Sequence, residues 1–382
     1  MQYDFDTERD RRDSDSAKWR KYGPGVLPMW VADMDFISAE PVLRALHERV
    51  DHGFFGYTQP MEELCQAIRL RLKSLYAWEI QKEDLFFLPG LVTGLNFAIQ
   101  AFAAPGEGVL VQPPVYHHFL RDPVNHGRVL ADPPLVQKGD SYEVDFETFE
   151  KRITPQTRIF ILCNPHNPVG RVYSRKELET MAETCLRHRL IICSDEIHCD
   201  LIFPGYRHIP IASLSPEVAD RTVTLMAPSK TYNLAGLRCG FAVIQDKELG
   251  HIWKRTTLGL NPGMNIMGQV AALAGYQEGQ EWLDQVLTYL TGNRDFLYRC
   301  VSEKLPGVRM SRMEGTYLAW LDCRQAGIAG SPFEFFLKRG VALNDGAEFG
   351  RGGEGFVRLN FACPRKTLSE ALGRMSTALY RV

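Results

Sequence analysis

Three short apolar segments of the sequence are each followed by a polar residue that can do chemistry. The segment at 158–163 leads into Asn167, the segment at 190–195 ends in Asp195, and the segment at 222–226 leads into Lys230. Together they supply an amide donor, a carboxylate and an amine. An apolar strand leading to a lysine favours partial desolvation, which lowers the pKa of the amine and makes it a better nucleophile. The set therefore indicates Schiff-base chemistry.

Each of these residues also has an ordinary structural explanation. Asn167 is a turn former beside two prolines, Asp195 is an end-of-strand cap, and Lys230 is a surface lysine. The chemical interpretation depends on their meeting at one place. That requires the three apolar segments to be neighbouring parallel strands, because α/β proteins bind their ligands at the carboxyl ends of such strands.

The elements around these residues fit that requirement. Between residues 85 and 245, apolar runs alternate with amphipathic stretches; the runs lie at 85–88, 108–111, 158–163, 190–195, 222–226 and 240–244. Runs that are apolar throughout are typical of a mainly parallel sheet covered on both faces. Ser174 and Glu177 predict a capping box that opens a helix, and Thr367 and Glu370 predict a second one. The pattern after residue 280 predicts a smaller α+β domain.

Composition excludes several classes of protein. The 382 residues carry a net charge of -2, so a whole-protein basic field for nucleic acid or anionic lipid is not expected. The nine cysteines are an odd number without a C-x-x-C pair, which indicates buried thiols in a reducing compartment. No apolar run approaches the ~18 residues that span a bilayer. The N-terminal 21 residues mix acids with bases, unlike a targeting peptide. We expect a cytoplasmic protein with a small ligand and no nucleic-acid or membrane partner.

Two further sequence patterns resemble a dinucleotide site and a metal site, but the residues around them do not support either one. Gly350, Gly352 and Gly355 satisfy G-x-G-x-x-G, but they precede a predicted strand, whereas a dinucleotide site needs them between a strand and a helix. The cluster between Asp195 and Asp200 contains His, Cys and acids. It lacks metal-site spacing, so no metal is predicted.

Three motifs in order carry a resemblance to a known family. N-P-x-N-P-x-G at 164–170, S-D-E-I-H at 194–198 and S-K-T-Y-N-L-A-G-L-R at 229–238 resemble the fold-type I pyridoxal 5'-phosphate (PLP) enzymes of the class I/II aminotransferase family. The segments at 30–36, 52–58, 316–322 and 355–360 resemble its cystathionine β-lyase-type, or C-S lyase, branch. The resemblance implies an α/β PLP-dependent transferase-like fold. Its large PLP-binding domain, at 51–284, would have a mainly parallel seven-stranded-type sheet, and residues 1–50 and 285–382 would form a discontinuous small domain.

The resemblance also implies roles for the residues at the strand ends. Lys230 would hold PLP and remove the Cα proton of the substrate, and Asp195 would face the pyridine nitrogen. Asn167 and His198 would lie near the O3' atom of the ring. Typical aminotransferases have a tyrosine where this chain has His198, so this residue favours the lyase branch.

Further cofactor contacts follow from the same resemblance. Tyr116 would stack on the PLP ring, with simple packing as the alternative. The phosphate would bind the backbone at the start of a helix together with two side chains; these residues are Gly90, Leu91, Val92, Ser229 and Arg238. The family often has a hydroxyl residue where this chain has Ala227, which leaves that one contact open.

Two residues would complete the catalytic and substrate sites. Tyr57 would reach the site of a neighbouring subunit, which implies a homodimer with a shared active site; an ordinary loop aromatic is the alternative. Arg358 would bind the α-carboxylate of the substrate, unless it pairs with a carboxylate of its own chain. Asp33 and Asp35 lie in a region that approaches the substrate in this branch, without an assigned step.

The activity that this resemblance implies is a PLP-dependent β-elimination. Cystathionine or a related cysteine S-conjugate would be cleaved at the Cβ-S bond, which releases a thiol, pyruvate and ammonia. Two alternatives remain open from the sequence: a class I/II aminotransferase, which shares the steps up to Cα deprotonation, and a regulatory partner-binding protein of the same fold.

Overall fold

The computed structural model describes residues 1–380 of the chain. Its strands are β1 (Leu27–Pro28), β2 (Leu85–Leu88), β3 (Gly108–Leu110), β4 (Val129–Ala131), β5 (Val136–Lys138), β6 (Ser141–Glu143), β7 (Thr157–Cys163), β8 (Ile191–Asp195), β9 (Thr222–Met226), β10 (Gly240–Val243), β11 (Arg309–Met310), β12 (Leu318–Asp322), β13 (Val341–Ala342), β14 (Asn344–Asp345) and β15 (Phe356–Asn360). Its helices are α1 (Ala17–Arg20), α2 (Glu40–His52), α3 (Glu62–Tyr76), α4 (Leu91–Phe102), α5 (His117–Asn125), α6 (Phe146–Lys151), α7 (Arg175–Arg187), α8 (Pro216–Ala219), α9 (Lys247–Thr257), α10 (Ile266–Glu278), α11 (Gln280–Lys304), α12 (Pro332–Leu337) and α13 (Arg365–Leu379).

The largest sheet has seven strands in the order β2-β10-β9-β8-β7-β3-β4. All run parallel except β10, which is antiparallel to both of its neighbours. Both faces of strand β7 are buried, which explains why its sequence is apolar throughout. Ile159 and Ile161 belong to one buried cluster, and Phe160 and Leu162 belong to another. Alternate residues of a strand face opposite sides, so a sheet covered on both sides needs apolar residues at every position. The predicted mainly parallel sheet is confirmed.

The two predicted capping boxes can be compared with the helix starts in the structure. Ser174 caps α7, because its side chain accepts from the amide of Glu177 and the Glu177 carboxylate accepts from the amide of Ser174. The second predicted capping box is wrong. Helix α13 begins at Arg365, so Thr367 lies inside the first turn, where its hydroxyl donates to Glu8 Oε1 at 3.0 Å.

A second, smaller layer joins both ends of the chain. Strands β11-β12-β15-β14 form an antiparallel sheet, and β1 pairs with β13 in parallel. One buried cluster contains Phe5 and Met29 from the N-terminal segment with Leu318 and Leu359 from the C-terminal region. These contacts join residues 1–50 to residues 285–382, but the same cluster also includes Phe203 and Trp282 from 51–284, so the division into 51–284 and 1–50 with 285–382 stays a prediction. Helix α11 runs without interruption across the 284/285 boundary.

None of the helices within residues 1–380 combines the length and the apolar character needed to cross a lipid bilayer.

Candidate active site

The ends of three neighbouring parallel strands bring the predicted residues to one edge of the large sheet. Cys163 at the end of β7 pairs with Asp195 at the end of β8, which in turn pairs with Leu225 near the end of β9. The segments that carry Asn167, His198 and Lys230 leave the sheet directly after these positions. Their charges interact: Lys230 lowers the pKa values of both Asp195 and His198.

The ammonium group of Lys230 loses its proton more easily than that of an ordinary lysine. Burial is the main cause that lowers its pKa to about 8; Arg358 acts in the same direction, while Asp33 and Asp195 oppose it. Lys230 Nζ donates to the carbonyl oxygen of Ala32 at 2.5 Å. A lysine of this kind exchanges its proton readily near neutral pH, as nucleophilic and basic lysines must.

Asp195 is a buried carboxylate with little support from the protein. Within residues 1–380, the one hydrogen bond to its side chain comes from the backbone amide of Ile197 to Oδ1, at 3.1 Å. Burial raises the pKa of Asp195 to about 7, against the smaller lowering by Ile197 and Lys230. Such a carboxylate gains stability from a cationic or N–H donor ligand that faces it.

His198 is buried and electrically neutral at pH 7. Burial, with the charges of Lys230 and Arg358, lowers its pKa to about 3. The ring lies edge-on to Tyr317, with 6.1 Å between the centroids. Its Nδ1 atom has no hydrogen-bond partner in the described part of the chain. Because buried polar atoms are normally hydrogen-bonded, this atom indicates a ligand position.

Arg358 lies in β15 and is also buried, with 4% of its surface exposed. Its guanidinium donates from Nη1 to Asn167 Oδ1 at 2.9 Å, and from Nη2 to Asn344 Oδ1 at 2.6 Å and to the carbonyl of Trp30 at 3.2 Å. All three acceptors are uncharged. None of the ion pairs formed within residues 1–380 includes Arg358, and burial lowers its pKa to about 10.

The start of α4 forms a backbone cradle at the same edge of the sheet. Gly90 is the N-cap and provides no capping side chain, so the first amides of the helix, including those of Leu91 and Val92, have no intrahelical partner. Gly240 at the start of β10 fits closely against this turn: an added Cβ would come within 2.6 Å of the Leu91 side chain and 3.6 Å of Ala227. The segments that contain Leu91, Ala227 and Gly240 thus pack closely together at the N-terminus of α4, where unpaired amides favour an anion.

Two predicted phosphate ligands lie on those neighbouring segments. Ser229 is buried and follows Ala227 by two residues, while Arg238 precedes Gly240 by two and is exposed. No acid of residues 1–380 forms an ion pair with Arg238. The structure therefore brings Gly90, Leu91, Ser229 and Arg238 to one region, with Val92 on the exposed side of the helix.

Tyr116 is the N-cap of α5 and packs against the apolar cluster on one face of the sheet. Burial raises its pKa to about 12, although the charge of Arg358 opposes the change. The Tyr116 hydroxyl is therefore neutral at pH 7. Its pKa is lowered by the charge of Arg358 and raised by the charge of Asp195.

Tyr57 is the predicted residue that a single chain does not bring to this edge. Its side chain is fully exposed, as are much of Phe54 and Phe55. Within residues 1–380, the Tyr57 hydroxyl takes part in no hydrogen bond.

Sequence reasoning missed the backbone of the loop at 30–36 and the side chain of Asn344. The acids of that loop have structural partners: Asp35 pairs with Lys18 at 2.7 Å, and Asp33 pairs with Arg11 at 3.1 Å. It is the carbonyls of Trp30 and Ala32 that contact Arg358 and Lys230. Backbone groups carry no residue-type signal, and only the register of β14 with β15 reveals Asn344.

The arrangement is that of fold-type I PLP-dependent enzymes: a seven-stranded, mainly parallel sheet with a lysine and a carboxylate at its carboxyl edge. The model of the aminotransferase class I and II family matches residues 31–375, and this chain belongs to that family. Both the predicted family and the predicted fold are confirmed.

Three similar proteins place the chain within this family. It is 42% identical to the cystathionine beta-lyase PatB of Bacillus subtilis (strain 168), over 98% of this chain and 99% of that protein. The crystal structure of OvoB has a TM-score of 0.95 at 44% identity, covering 99% of each chain. The PLP-bound C-S lyase from Staphylococcus hominis has a TM-score of 0.95 at 32% identity, covering 99% of this chain and 98% of that one.

Proposed function

We propose that this protein is a PLP-dependent carbon-sulfur β-lyase that acts on cystathionine or a related cysteine S-conjugate and releases a thiol, pyruvate and ammonia. The predicted cofactor and lyase class are confirmed by the full-length relatives. The observation that carries the substrate proposal is Arg358, a buried guanidinium beside Lys230 that has only uncharged acceptors. A substrate carboxylate would complete it.

The residues at the sheet edge fit PLP. Asp195 is a buried carboxylate that needs a donor, and the pyridine nitrogen is one; His198 Nδ1 is a buried atom without a partner among residues 1–380. The backbone cradle at Gly90, with Ser229 and Arg238 nearby, suits a phosphate. When bound, PLP supplies an electron sink for the pair of electrons left at the substrate Cα.

Lys230 has the properties of both the attachment point and the base. Its lowered pKa of about 8 gives a useful fraction of free amine near neutral pH. With PLP bound, Lys230 Nζ would be the group that takes the proton from the substrate Cα. The carbonyl of Ala32, which accepts from Nζ at 2.5 Å, orients the amine and stabilises its protonated form.

Arg358 and Asn167 orient the substrate and the cofactor together. The planar guanidinium offers two parallel N–H groups to a carboxylate. Asn167 uses Oδ1 to accept from Arg358, so its Nδ2 group would be available to donate to the ring oxygen O3' of PLP. One hydrogen bond thus links the proposed carboxylate clamp to the residue proposed for O3', and a carboxylate held by Arg358 would orient the substrate amino acid relative to Lys230.

We also propose that two chains complete each site. The arm at 52–58 exposes Phe54, Phe55 and Tyr57, and large exposed apolar groups of this kind are typical of a protein interface. Tyr57 would then reach the cofactor phosphate of the partner. A reducing compartment such as the cytoplasm is proposed because all nine cysteines are buried free thiols.

The proposed activity is tested with the purified PLP-loaded protein and cystathionine in the absence of a keto acid. We expect one pyruvate for each thiol released. Product formation only after addition of a keto acid would instead identify an aminotransferase. If neither reaction occurs and PLP is bound, the regulatory partner-binding alternative replaces the lyase.

A further inference from the structure

Arg358 is held by an asparagine from a two-residue strand. In the pairing of β14 with β15, Asn344 lies opposite Arg358 and Asp345 lies opposite Val357. Asn344 Oδ1 accepts from Arg358 Nη2 at 2.6 Å, compared with 2.9 Å for Asn167 and 3.2 Å for the Trp30 carbonyl. It is the shortest of the three contacts.

The neighbouring acid is kept away from the guanidinium by the register. Successive residues of a strand point to opposite faces of a sheet. Asp345 therefore faces away from Arg358, and its Oδ1 accepts from the amide of Ala347 at 3.1 Å while its Oδ2 accepts from Ser331 Oγ at 3.5 Å. A shift by one residue would exchange the two side chains. The sequence Asn-Asp in this register places an amide, and not a carboxylate, against Arg358.

We propose that Asn344 is a positioning residue, which fixes the Arg358 guanidinium for the substrate α-carboxylate while leaving its positive charge unpaired. The proposal rests on the proposed function, because it concerns the same amino-acid site. An aspartate at this position would form a charge-assisted pair with Arg358 and compete with the substrate carboxylate. An alanine would remove the support without adding a competitor.

The test compares two probes that differ only in the carboxylate, L-alanine and ethylamine. Binding of each to the PLP-loaded protein is followed through the absorbance of the cofactor. We expect Asn344→Ala to weaken L-alanine binding about tenfold and Asn344→Asp about a hundredfold. Ethylamine binding stays within about twofold of the wild type in both variants, because an amine without a carboxylate does not use the clamp. Asn125→Asp, at an exposed position, controls for the change in charge.

The ratio of the two affinities within each variant corrects for any loss of folded protein. The proposal is overturned if Asn344→Asp binds L-alanine as well as the wild type does, or if ethylamine binding falls by the same factor as L-alanine binding. A wild-type protein that binds L-alanine but releases no pyruvate from cystathionine would contradict the lyase activity alone. The titrations would still decide the role of Asn344.

Discussion

Cations that are buried or half-buried occur in two different environments in this protein. Arg171 and Lys18 are paired with acids: Arg171 contacts Glu177 and Glu314 at 2.9 and 3.1 Å, and Lys18 contacts Asp35 at 2.7 Å. Arg358 and Lys230, at the edge of the large sheet, have only uncharged hydrogen-bond acceptors in the described part of the chain. The first pair joins elements of the fold, whereas the second is available to ligands.

The pKa values follow this difference. Burial alone would lower the pKa of Arg171, but the charges of Glu177 and Glu314 raise it above its usual value. Burial lowers the pKa of Arg358 to about 10, with no acid close enough to reverse the effect. An arginine that is both buried and unpaired is costly to the fold, so its presence beside Lys230 is best explained by a ligand that supplies the missing negative charge.

The largest predicted difference is between Lys18, which is buried, and Lys230, which is half-buried. Lys230→Ala should lower the elimination rate by at least about a thousandfold, because the amine is both attachment point and base. Lys18→Met should retain PLP and turnover but lose about 2 kcal/mol of unfolding free energy, because Asp35 loses one charged partner and keeps only Arg11 and Trp19. Elimination rates and urea unfolding of both variants measure this. Comparable loss of turnover in the two variants would contradict the assignment of Lys230 to catalysis and of Lys18 to the fold.

The two arginines give the next comparison. We expect Arg358→Gln to raise KM about a hundredfold for the amino-acid substrate, with little change in unfolding free energy, since no acid is left without its partner. Arg171→Gln should leave KM unchanged and lower the unfolding free energy by about 3 kcal/mol. Steady-state kinetics and denaturation are the measurements. A strongly destabilised Arg358→Gln with normal KM would assign Arg358 to the fold.

A smaller effect should appear in the pH dependence of stability. The pKa of Asp195 is raised to about 7 in the folded chain from about 3.9 when unfolded, so the folded state holds this proton more tightly. Unfolding free energy is therefore lost as the pH rises from about 4 to about 7. In cofactor-free protein, Asp195→Asn should be more stable than the wild type at pH 8 and equal to it near pH 4. We expect a difference of about 2 kcal/mol at pH 8, roughly half of the ~4 kcal/mol that the full shift corresponds to, because local relaxation lowers the cost of the buried charge.

Thermal or urea unfolding of the two proteins across that range tests this prediction. A constant difference at every pH would show that the gain does not come from the titration of Asp195. With PLP bound the advantage should disappear, because the carboxylate then has its partner.

The sequence was most informative where local chemistry decides structure. Strand β7 could be predicted because burial on both faces requires an uninterrupted apolar run. The capping box at Ser174 formed, but the same pattern at Thr367 did not, because a helix that starts at Arg365 places this residue inside the helix, against Glu8. Whether an S/T-x-x-E pattern caps a helix depends on where tertiary packing starts the helix.

The functional residues could likewise be predicted only where the local sequence marks them. Lys230, Asp195 and Asn167 could be found because they follow recognisable strands. The partners of Arg358 could not, because Asn167 and Trp30 lie 191 and 328 residues away along the chain and Trp30 acts through its backbone. Tyr57 is named by resemblance alone, and a single chain leaves its side chain fully exposed.

The most direct test of this account is to find which lysine bonds to PLP. The PLP-loaded protein is reduced with borohydride, digested and analysed by mass spectrometry. We predict that the cofactor is found on the peptide that contains Lys230, the half-buried lysine without a paired acid in the described structure, and that the peptide with Lys18 is unmodified. Modification of Lys18, or recovery of the Lys230 peptide without cofactor, would contradict the central claim that the unpaired cations at the sheet edge form the active site.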